Sequence, residues 1–357
     1  MKVAILGNGL TSLTLAKLLV NQDITIDIFY SKKTKINNKI QTLGLSKTNI
    51  DFLKGHVLDI KKFLWDINKI EIFSENLRNE QILNFENNKN QLFSIIKNYD
   101  LYNHLLKNLN KSKFVKFKKE SNYKNLINSD YKLIFNCDPN NFISKKYFYN
   151  KIEKDYRSKA YVTSIKHKKL INNHTASQVF TKKGPLAFLP MSPSETSVVY
   201  SIKGHNNIDL DYLIKKYNTK YKILKINKPI IFELKTSNLR SYYHKNIIAF
   251  GDMLHKLHPL AGQGFNMTLR DIKEIYKLIS FKKKHGLDLD ISISIDFEKN
   301  MKNKNYLFSS GIDFIYEFFN FENKMNNNAL SKSVKILGKN KIAKNLFTKF
   351  ADNGLSI

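Results

Sequence analysis

The sequence predicts an α/β protein, in which a parallel-sheet domain is interrupted by a mixed or antiparallel sheet domain and followed by a helical tail. Three observations predict it. First, an apolar run of strand type, Lys2 to Leu6, meets Gly7-Asn8-Gly9 and passes straight into a helical pattern. Second, another apolar strand, Ile247 to Phe250, leads into GDMLHKLHPLAGQGFNMTLRD at 251–271. That stretch holds three of the chain's 13 glycines and one of its 6 prolines, so the chain spends scarce turn residues there. Third, residues 161–200 change character: short β-type segments recur between Gly, Pro, Asn and Ser, as in an antiparallel sheet. The opening strand–glycine turn–helix–strand order is the start of a βαβ unit of the dinucleotide-binding kind.

The remaining elements follow from periodicity. Leu10, Leu13, Ala16, Leu18 and Leu19 mark the first helix, and Ile24 to Tyr30 the second strand. Residues 31–48 are polar and irregular, 51–66 read as helix, and Ile70 to Phe73 as strand. Residues 91–108 read as helix and Asp130 to Cys137 as strand. Beyond the antiparallel region, helix is expected at 209–217, extended chain at 229–234 and 247–250, and helices at 267–281, 293–325 and 330–350. No internal repeat or long linker interrupts this order.

Composition limits the function classes. At 357 residues, with 42% hydrophobic and 12% aromatic content, the chain can bury a substantial core. It holds no run of about 18 apolar residues of the kind that spans a bilayer, and MKVAILGNG does not read as a secretory signal. The single cysteine, Cys137, excludes an intrachain disulfide framework and a cysteine-based zinc cluster, and reads as a buried, inert thiol. An intracellular protein is the expectation. The net charge of +30 is spread along the chain and reads first as compositional bias, second as a membrane-surface contribution and last as nucleic-acid binding. Lysine clusters stand at 111–119, 166–169 and 282–284.

Two stretches carry chemistry. In Gly7-Asn8-Gly9-Leu10-Thr11-Ser12, Gly7 permits a tight turn and Gly9 lets backbone approach a pyrophosphate seated on the helix N-terminus. Ser12 takes the third glycine position and is small enough for helix–strand packing. The acid expected about 20 residues on, for a ribose, is replaced by Tyr30; Asp27 alternates with Ile26 and Ile28 and is expected to face away. In the second stretch, Gly251-Asp252 ends a strand with a carboxylate suited to ribityl or ribose hydroxyls. Pro259 sets a bend, and Gly262-Gln263-Gly264 opens a helix whose free amides can face a polarised carbonyl or an anion. Glycines belong there if a flat ring lies on the backbone.

The pattern GD-x-x-H-x-x-HP-x-x-GQG-x-N-x-x-x-x-D resembles the second flavin motif of the FAD-dependent aromatic-ring hydroxylases, in the ubiquinone-biosynthesis hydroxylase branch. Ala176, Gln178, Phe180 and then Lys183-Gly184-Pro185-Leu186-Ala187-Phe188-Leu189-Pro190 resemble the same branch. The similarity is densest at 2–13, 156–202 and 234–271. Three positions depart: Tyr30 stands for an acid, Gln41 for an arginine, and Asp138-Pro139 for Asp-Gly.

The resemblance implies a Rossmann-like FAD-binding domain in three parts, 1–74, 130–150 and 235–283. It also implies an intervening segment at 75–129, a substrate-binding sheet domain at 151–234 and C-terminal helices at 284–357. It implies a monooxygenase that reduces FAD with NADPH or NADH and, through a flavin C4a-hydroperoxide formed with O2, hydroxylates a polyprenylated phenol in ubiquinone biosynthesis. Carried over residue by residue, Gly7, Asn8, Gly9, Leu10, Ser12, Tyr30, Gln41, Gly251, Asp252, Pro259, Gly262, Gln263, Gly264 and Asn266 face the cofactor. Pro259 and Gly262 position the ring, and Gln178, Phe180, Phe188 and Pro190 form the substrate floor. No side-chain acid or base is implied.

Partners follow from that substrate: a prenylated phenol or quinone precursor, a peripheral contact with the inner membrane surface from the cytoplasmic side, and membership of a quinone-biosynthesis complex. Nucleic acid is not expected. His255 and His258 lack a third ligand at metal spacing and read as structural. Phe308, Ile312, Ile315 and Phe319 share one helical face, read first as core and second as a wall for a prenyl tail. The alternatives that remain are a flavin-poor accessory protein and another FAD-dependent oxidoreductase on the same scaffold.

Overall fold

The computed structural model describes the chain except residues 1, 32–38, 87–90, 121–122, 128, 205–207, 258–262, 326–327 and 338–357. Three sheets organise it. The first has six strands in the order Tyr243–His244, Ile247–Ala249, Leu133–Asn136, Lys2–Leu6, Thr25–Tyr30, Val115–Lys119. All its pairings are parallel except the first. Its central strands, Lys2–Leu6, Leu133–Asn136 and Ile247–Ala249, are largely buried runs, as expected of a parallel sheet covered on both faces, while the edge strand Val115–Lys119 carries three lysines. Val3, Ala4, Ile5, Leu6, Leu133, Ile134 and Phe135 are fully buried in one cluster with Leu269, Ile272 and Ile275 of the helix Gln263–Lys284.

The second sheet is the substrate-domain sheet. Its main path runs His255–Lys256, Ile230–Leu239, Lys151–His167, Glu195–Lys203, Gly184–Pro190, Thr175–Thr181, Lys69–Ser74, Glu80–Glu86, with Ile223–Ile226 also paired to Lys151–His167. One face packs on the helix Leu210–Tyr217, through Val179, Leu186, Phe188, Val198 and Tyr200. The other face looks toward the parallel sheet and the helix Ile291–Met325. A third, three-stranded sheet, Thr42–Ser46, Phe93–Lys97 and Trp65–Ile67, bridges the two larger ones. The bridge is fastened to the substrate sheet by Thr42 Oγ1 donating to Ser197 Oγ at 3.0 Å and by the Lys97–Glu195 ion pair at 2.8 Å.

Three sequence expectations are corrected. Residues 51–66 form no single helix: the helix Lys47–Phe52 continues as one π-turn, Leu53–Val57, and Trp65–Ile67 is a strand. Residues 91–108 divide into the strand Phe93–Lys97 and the helix Asn98–Leu109; the apolar run FSIIK fits either element, and pairing with Thr42–Ser46 decides it. Finally, Lys69–Ser74 and Glu80–Glu86 join the substrate sheet, because Lys69–Ser74 pairs parallel with Thr175–Thr181. The boundary at 74 therefore does not separate the two sheets.

The helix Ile291–Met325 packs Phe308, Ile312, Tyr316 and Phe319 into the substrate-sheet core, with Ile315 partly buried against it. Its far end is anchored by buried Glu322, which accepts from Asn76 Nδ2 at 3.0 Å and from the backbone and hydroxyl of Ser331 on the helix Ala329–Leu337.

Asp27 is fully buried and accepts from Lys118 Nζ at 2.7 Å, from Lys2 Nζ at 2.9 Å and from the Tyr131 hydroxyl. Burial alone would raise its pKa, but these three donors outweigh burial and hold the carboxyl below its usual range. Its stabilising contribution is therefore present above the unfolded-state pKa of about 4 and is lost as pH falls through the lower native value. Asp27→Ala is expected to cost about 2 kcal/mol by urea unfolding at neutral pH. The gap should narrow as pH falls below the unfolded-state value of about 4.

Candidate functional site

The site begins where strands of the parallel sheet end. Lys2–Leu6 and Ile247–Ala249 flank Leu133–Asn136, so their C-terminal ends emerge side by side. Gly7 has φ +103°, and its N–H donates to Phe29 O at 2.8 Å, which turns the chain into the helix Leu10–Val20. Gly251 has φ +65°, and a Cβ there would stand 2.7 Å from Thr11 Cγ2. The two glycine-bearing turns, some 240 residues apart in sequence, are thus in direct contact, and that contact requires glycine at 251.

From this junction opens a cavity of about 920 Å³. That volume lies at the upper end of the roughly 300–1,000 Å³ common for small-molecule sites. Its polar end is lined by Gly9, Leu10, Thr11, Ser12, Cys137, Pro139 and Asp252. Its roof includes Gln41 through Gly44, Ser46 and Lys47, with Gly264 and Asn266 from the helix Gln263–Lys284. Cβ atoms built at Gly9 and Gly264 meet no protein atom within 4 Å. Both glycines therefore face open cavity, and a side chain at either would enter it.

The floor is the inner face of the substrate sheet. Cross-strand register places Gln178, Ala187, Val199 and Val162 in one row across four strands, and all four line the cavity. Ala187, Val199 and Val162 give the row a short, apolar surface, a trough with the Gln178 amide as its one polar member. Ile70, Ala160, Ala176, Leu189, Phe232 and Leu234 extend the trough.

Electrostatics divide the cavity further. Asp252 opens onto it, and the enclosing protein pushes its carboxyl pKa up, partly offset by His255 and Lys256. The Cys137 thiol is pushed up to about 12, chiefly by burial and further by Asp252 and Asp138, against the nearby Ser12 hydroxyl, which lowers it. It lines the cavity as a neutral, unreactive group. His255 is buried and bonds through Nε2 to buried Asp271, whose second oxygen accepts from Asn305 Nδ2 at 2.8 Å. This chain fixes the loop after Gly251 to the helix Ile291–Met325. No group of three His, Cys, Asp or Glu side chains is placed to hold a metal ion among the described residues.

Asn266 is the roof's fastener. Its Nδ2 donates to Gly44 O at 2.7 Å, and its Oδ1 accepts from Ser46 N at 3.2 Å and Asn49 Nδ2 at 2.9 Å. Asn49 is fully buried and was not legible as a site residue, since its partner lies 217 positions away.

Of the residues singled out from sequence, Gly9, Leu10, Ser12, Gln41, Asp252, Gly264, Asn266 and Gln178 line the cavity. Gly7, Asn8, Tyr30 and Gly251 do not; Gly7 and Gly251 shape the turns behind the wall. Phe188 and Pro190 are corrections. Strand alternation turns Phe188 into the core under the helix Leu210–Tyr217, and Pro190 shares its parity, while Ala187 and Leu189 face the cavity. Phe180 is also corrected: it is buried and stacked on Phe319, with centroids 3.6 Å apart, and does not line the cavity. Pro259, Gly262 and His258 lie outside the described residues, as does the side chain of Gln263.

The architecture matches solved enzymes over nearly its whole length. The p-nitrophenol 4-monooxygenase PnpA from Pseudomonas putida superposes with a TM-score of 0.80, covering 99% of this chain and 98% of that one at 11% identity. HpxO from Klebsiella pneumoniae, complexed with FAD and uric acid, gives 0.75, covering 98% and 97% at 10% identity. The chain has the fold of the FAD-dependent aromatic hydroxylases. Similar sequences come from one branch. Ubiquinone biosynthesis monooxygenase COQ6 of Schizosaccharomyces pombe is 23% identical over 274 residues, 63% of this chain and 57% of that protein. The 3-demethoxyubiquinol 3-hydroxylase of Escherichia coli is 25% identical over 152 residues, 40% of this chain and 39% of that protein. In sequence the chain is thus similar, at low identity, to ubiquinone-biosynthesis hydroxylases. The chain spans about half the length of the curated relatives it matches, and no family model matches it.

Two substitutions test this geometry. Gly251→Ala drives a Cβ into Thr11 at a left-handed φ and should cost about 2 kcal/mol in denaturant unfolding. Asn266→Ala strands Ser46 N–H and Gly44 O in a buried site and should cost about 2–3 kcal/mol by the same measure.

Proposed function

We propose that this chain is an FAD-dependent monooxygenase that uses NADPH or NADH and O2 to hydroxylate the aromatic ring of a polyprenylated phenol in ubiquinone biosynthesis. One observation carries the reading: a single cavity runs from two glycine-faced helix starts to an apolar trough. The polar end suits a dinucleotide, and the trough suits a greasy aromatic substrate.

The residues present fit FAD. Gly9 and the free amides of the helix Leu10–Val20 would take the diphosphate. Asp252 would accept from ribityl hydroxyls, and Gly264 would let the flat ring lie against the start of the helix Gln263–Lys284. We extend this role to Pro259, Gly262 and Gln263 by the same motif. Bound there, FAD supplies the redox chemistry, taking electrons from the nicotinamide and activating dioxygen. The chain's own part is to orient the ring over Gln178, Ala187, Val199 and Val162 and to keep water out. The partners we propose are the prenylated phenol, the cytoplasmic face of the inner membrane and a quinone-biosynthesis complex. No helix among the described residues is long and apolar enough to cross a membrane.

A second reading, a flavin-poor accessory protein, is favoured by one feature. Tyr30 stands where an acid would hold the ribose, and Asp27 is consumed by Lys2, Lys118 and Tyr131.

Purified protein decides between them. Flavin absorbance, nicotinamide oxidation stimulated by a tailed phenol, and a product one oxygen heavier support the enzyme. A colourless protein that takes up no FAD overturns it. Gly9→Val and Gly264→Val each add bulk where a Cβ meets no described protein atom within 4 Å. They should abolish flavin retention while leaving the apo-protein's Tm unchanged; full flavin content in both would remove the cradle.

A further inference from the structure

We infer that the free edge of the substrate sheet, around 166–171 and 222–232, is a docking face for an anionic lipid bilayer. The edge is built from Ile223–Ile226 and the start of Ile230–Leu239, both paired on one side to Lys151–His167. Partner strand His255–Lys256 covers the other side only at Ser237 and Asn238.

Six lysines crowd this edge: Lys166, Lys168, Lys169, Lys222, Lys225 and Lys228. All are exposed, and none makes an ion pair with a described residue. Lys166 stands directly opposite Lys225 in the ladder, and Lys168 N–H donates to Lys222 O at 3.0 Å. Like charges opposed across strands destabilise a sheet. The acid on the other side of Lys166, Glu195, is already held by Lys97. An anionic partner would relieve this repulsion.

Charge alone would fit the bland explanation, lysines that deter strand pairing at a bare edge. The exposed apolar side chains along the same edge, one of them between lysines and the others just beyond them, do not fit it. Ile171 is 83% exposed, Leu224 66%, Ile231 52% and Phe232 40%. Lysines beside protruding apolar groups suit a membrane interface, where the apolar tips enter the headgroup boundary and the ammonium groups meet anionic lipid. A nucleic-acid face would instead offer stacking aromatics and arginines. The edge is also continuous with the cavity, because Phe232 is both exposed on it and part of the cavity wall. A tailed substrate could thus pass from bilayer to trough along one strand. The choice of a bilayer as occupant rests on the proposed apolar substrate.

The test is co-sedimentation of the 357-residue chain with vesicles of phosphatidylcholine alone or mixed with phosphatidylglycerol. Binding is expected only to the anionic vesicles, and it should weaken as salt rises. The combined Lys166→Glu, Lys168→Glu, Lys225→Glu variant should weaken it by more than about 100-fold, at roughly five-fold per lysine charge removed. Ile171→Ser with Leu224→Ser should weaken it several-fold at unchanged charge. Unchanged Tm shows that both variants fold. No binding to anionic vesicles, binding indifferent to both variants, or a charge-only effect that single-stranded DNA competes away equally would each overturn the inference. So would an edge that changes oligomeric state and not vesicle binding. A protein that hydroxylates a tailless phenol yet ignores vesicles sinks the docking face alone. One that binds vesicles but takes up no flavin sinks the catalytic reading alone.

Discussion

The site depends on one close approach, the backbone of Gly251 against the side chain of Thr11. Parallel pairing delivers Lys2–Leu6 and Ile247–Ala249 to the same edge of the sheet, on either side of Leu133–Asn136. Strand ends that emerge together leave a crevice between their loops, which is where open α/β sheets hold ligands. Thr11 then fixes how near the second loop can come. Everything else is arranged around that junction: Asn266 holds the roof down, Thr42 and Lys97 tie roof to floor, and the trough begins where the polar wall ends.

What sequence could show follows from range. The two glycine turns were legible because their demands are local: a strand, a positive φ, a helix start. Fold class and the antiparallel region were legible from periodicity. The cavity floor was harder, because a motif names a strand while alternation decides which half of it faces inward. Gln178 and Phe188 fall in the same stretch of similarity, yet one lines the cavity and the other supports the helix Leu210–Tyr217. The strand Phe93–Lys97 was hidden because five residues of apolar chain fit a helix equally well until a neighbour pairs with them. Asn49 carried no local signal, since nothing near it in sequence explains a buried amide.

The charge shows a similar division. Sixty basic residues against 30 acidic ones look like one compositional habit when read along the chain. In three dimensions they separate. Lys2 and Lys118 neutralise a buried acid, Lys97 joins two sheets, and the lysines of the free edge serve no internal partner among the described residues. The same residue type therefore stabilises the fold in one place and strains it in another.

The helix Ile291–Met325 has a mechanical consequence. Along its length it grips, in turn, the backbone of Tyr242 through Glu298 and the post-Gly251 loop through Asn305. It then meets Asn238 through Ser309, Tyr156 through Asp313 and Asn76 through Glu322. One of those anchors, Tyr242, adjoins the parallel sheet, and the others lie in or beside the substrate sheet. A rod pinned at so many points resists the two halves swinging apart like a clamshell. Freedom to admit a ligand is then left to side chains and loops at the rim more than to the frame.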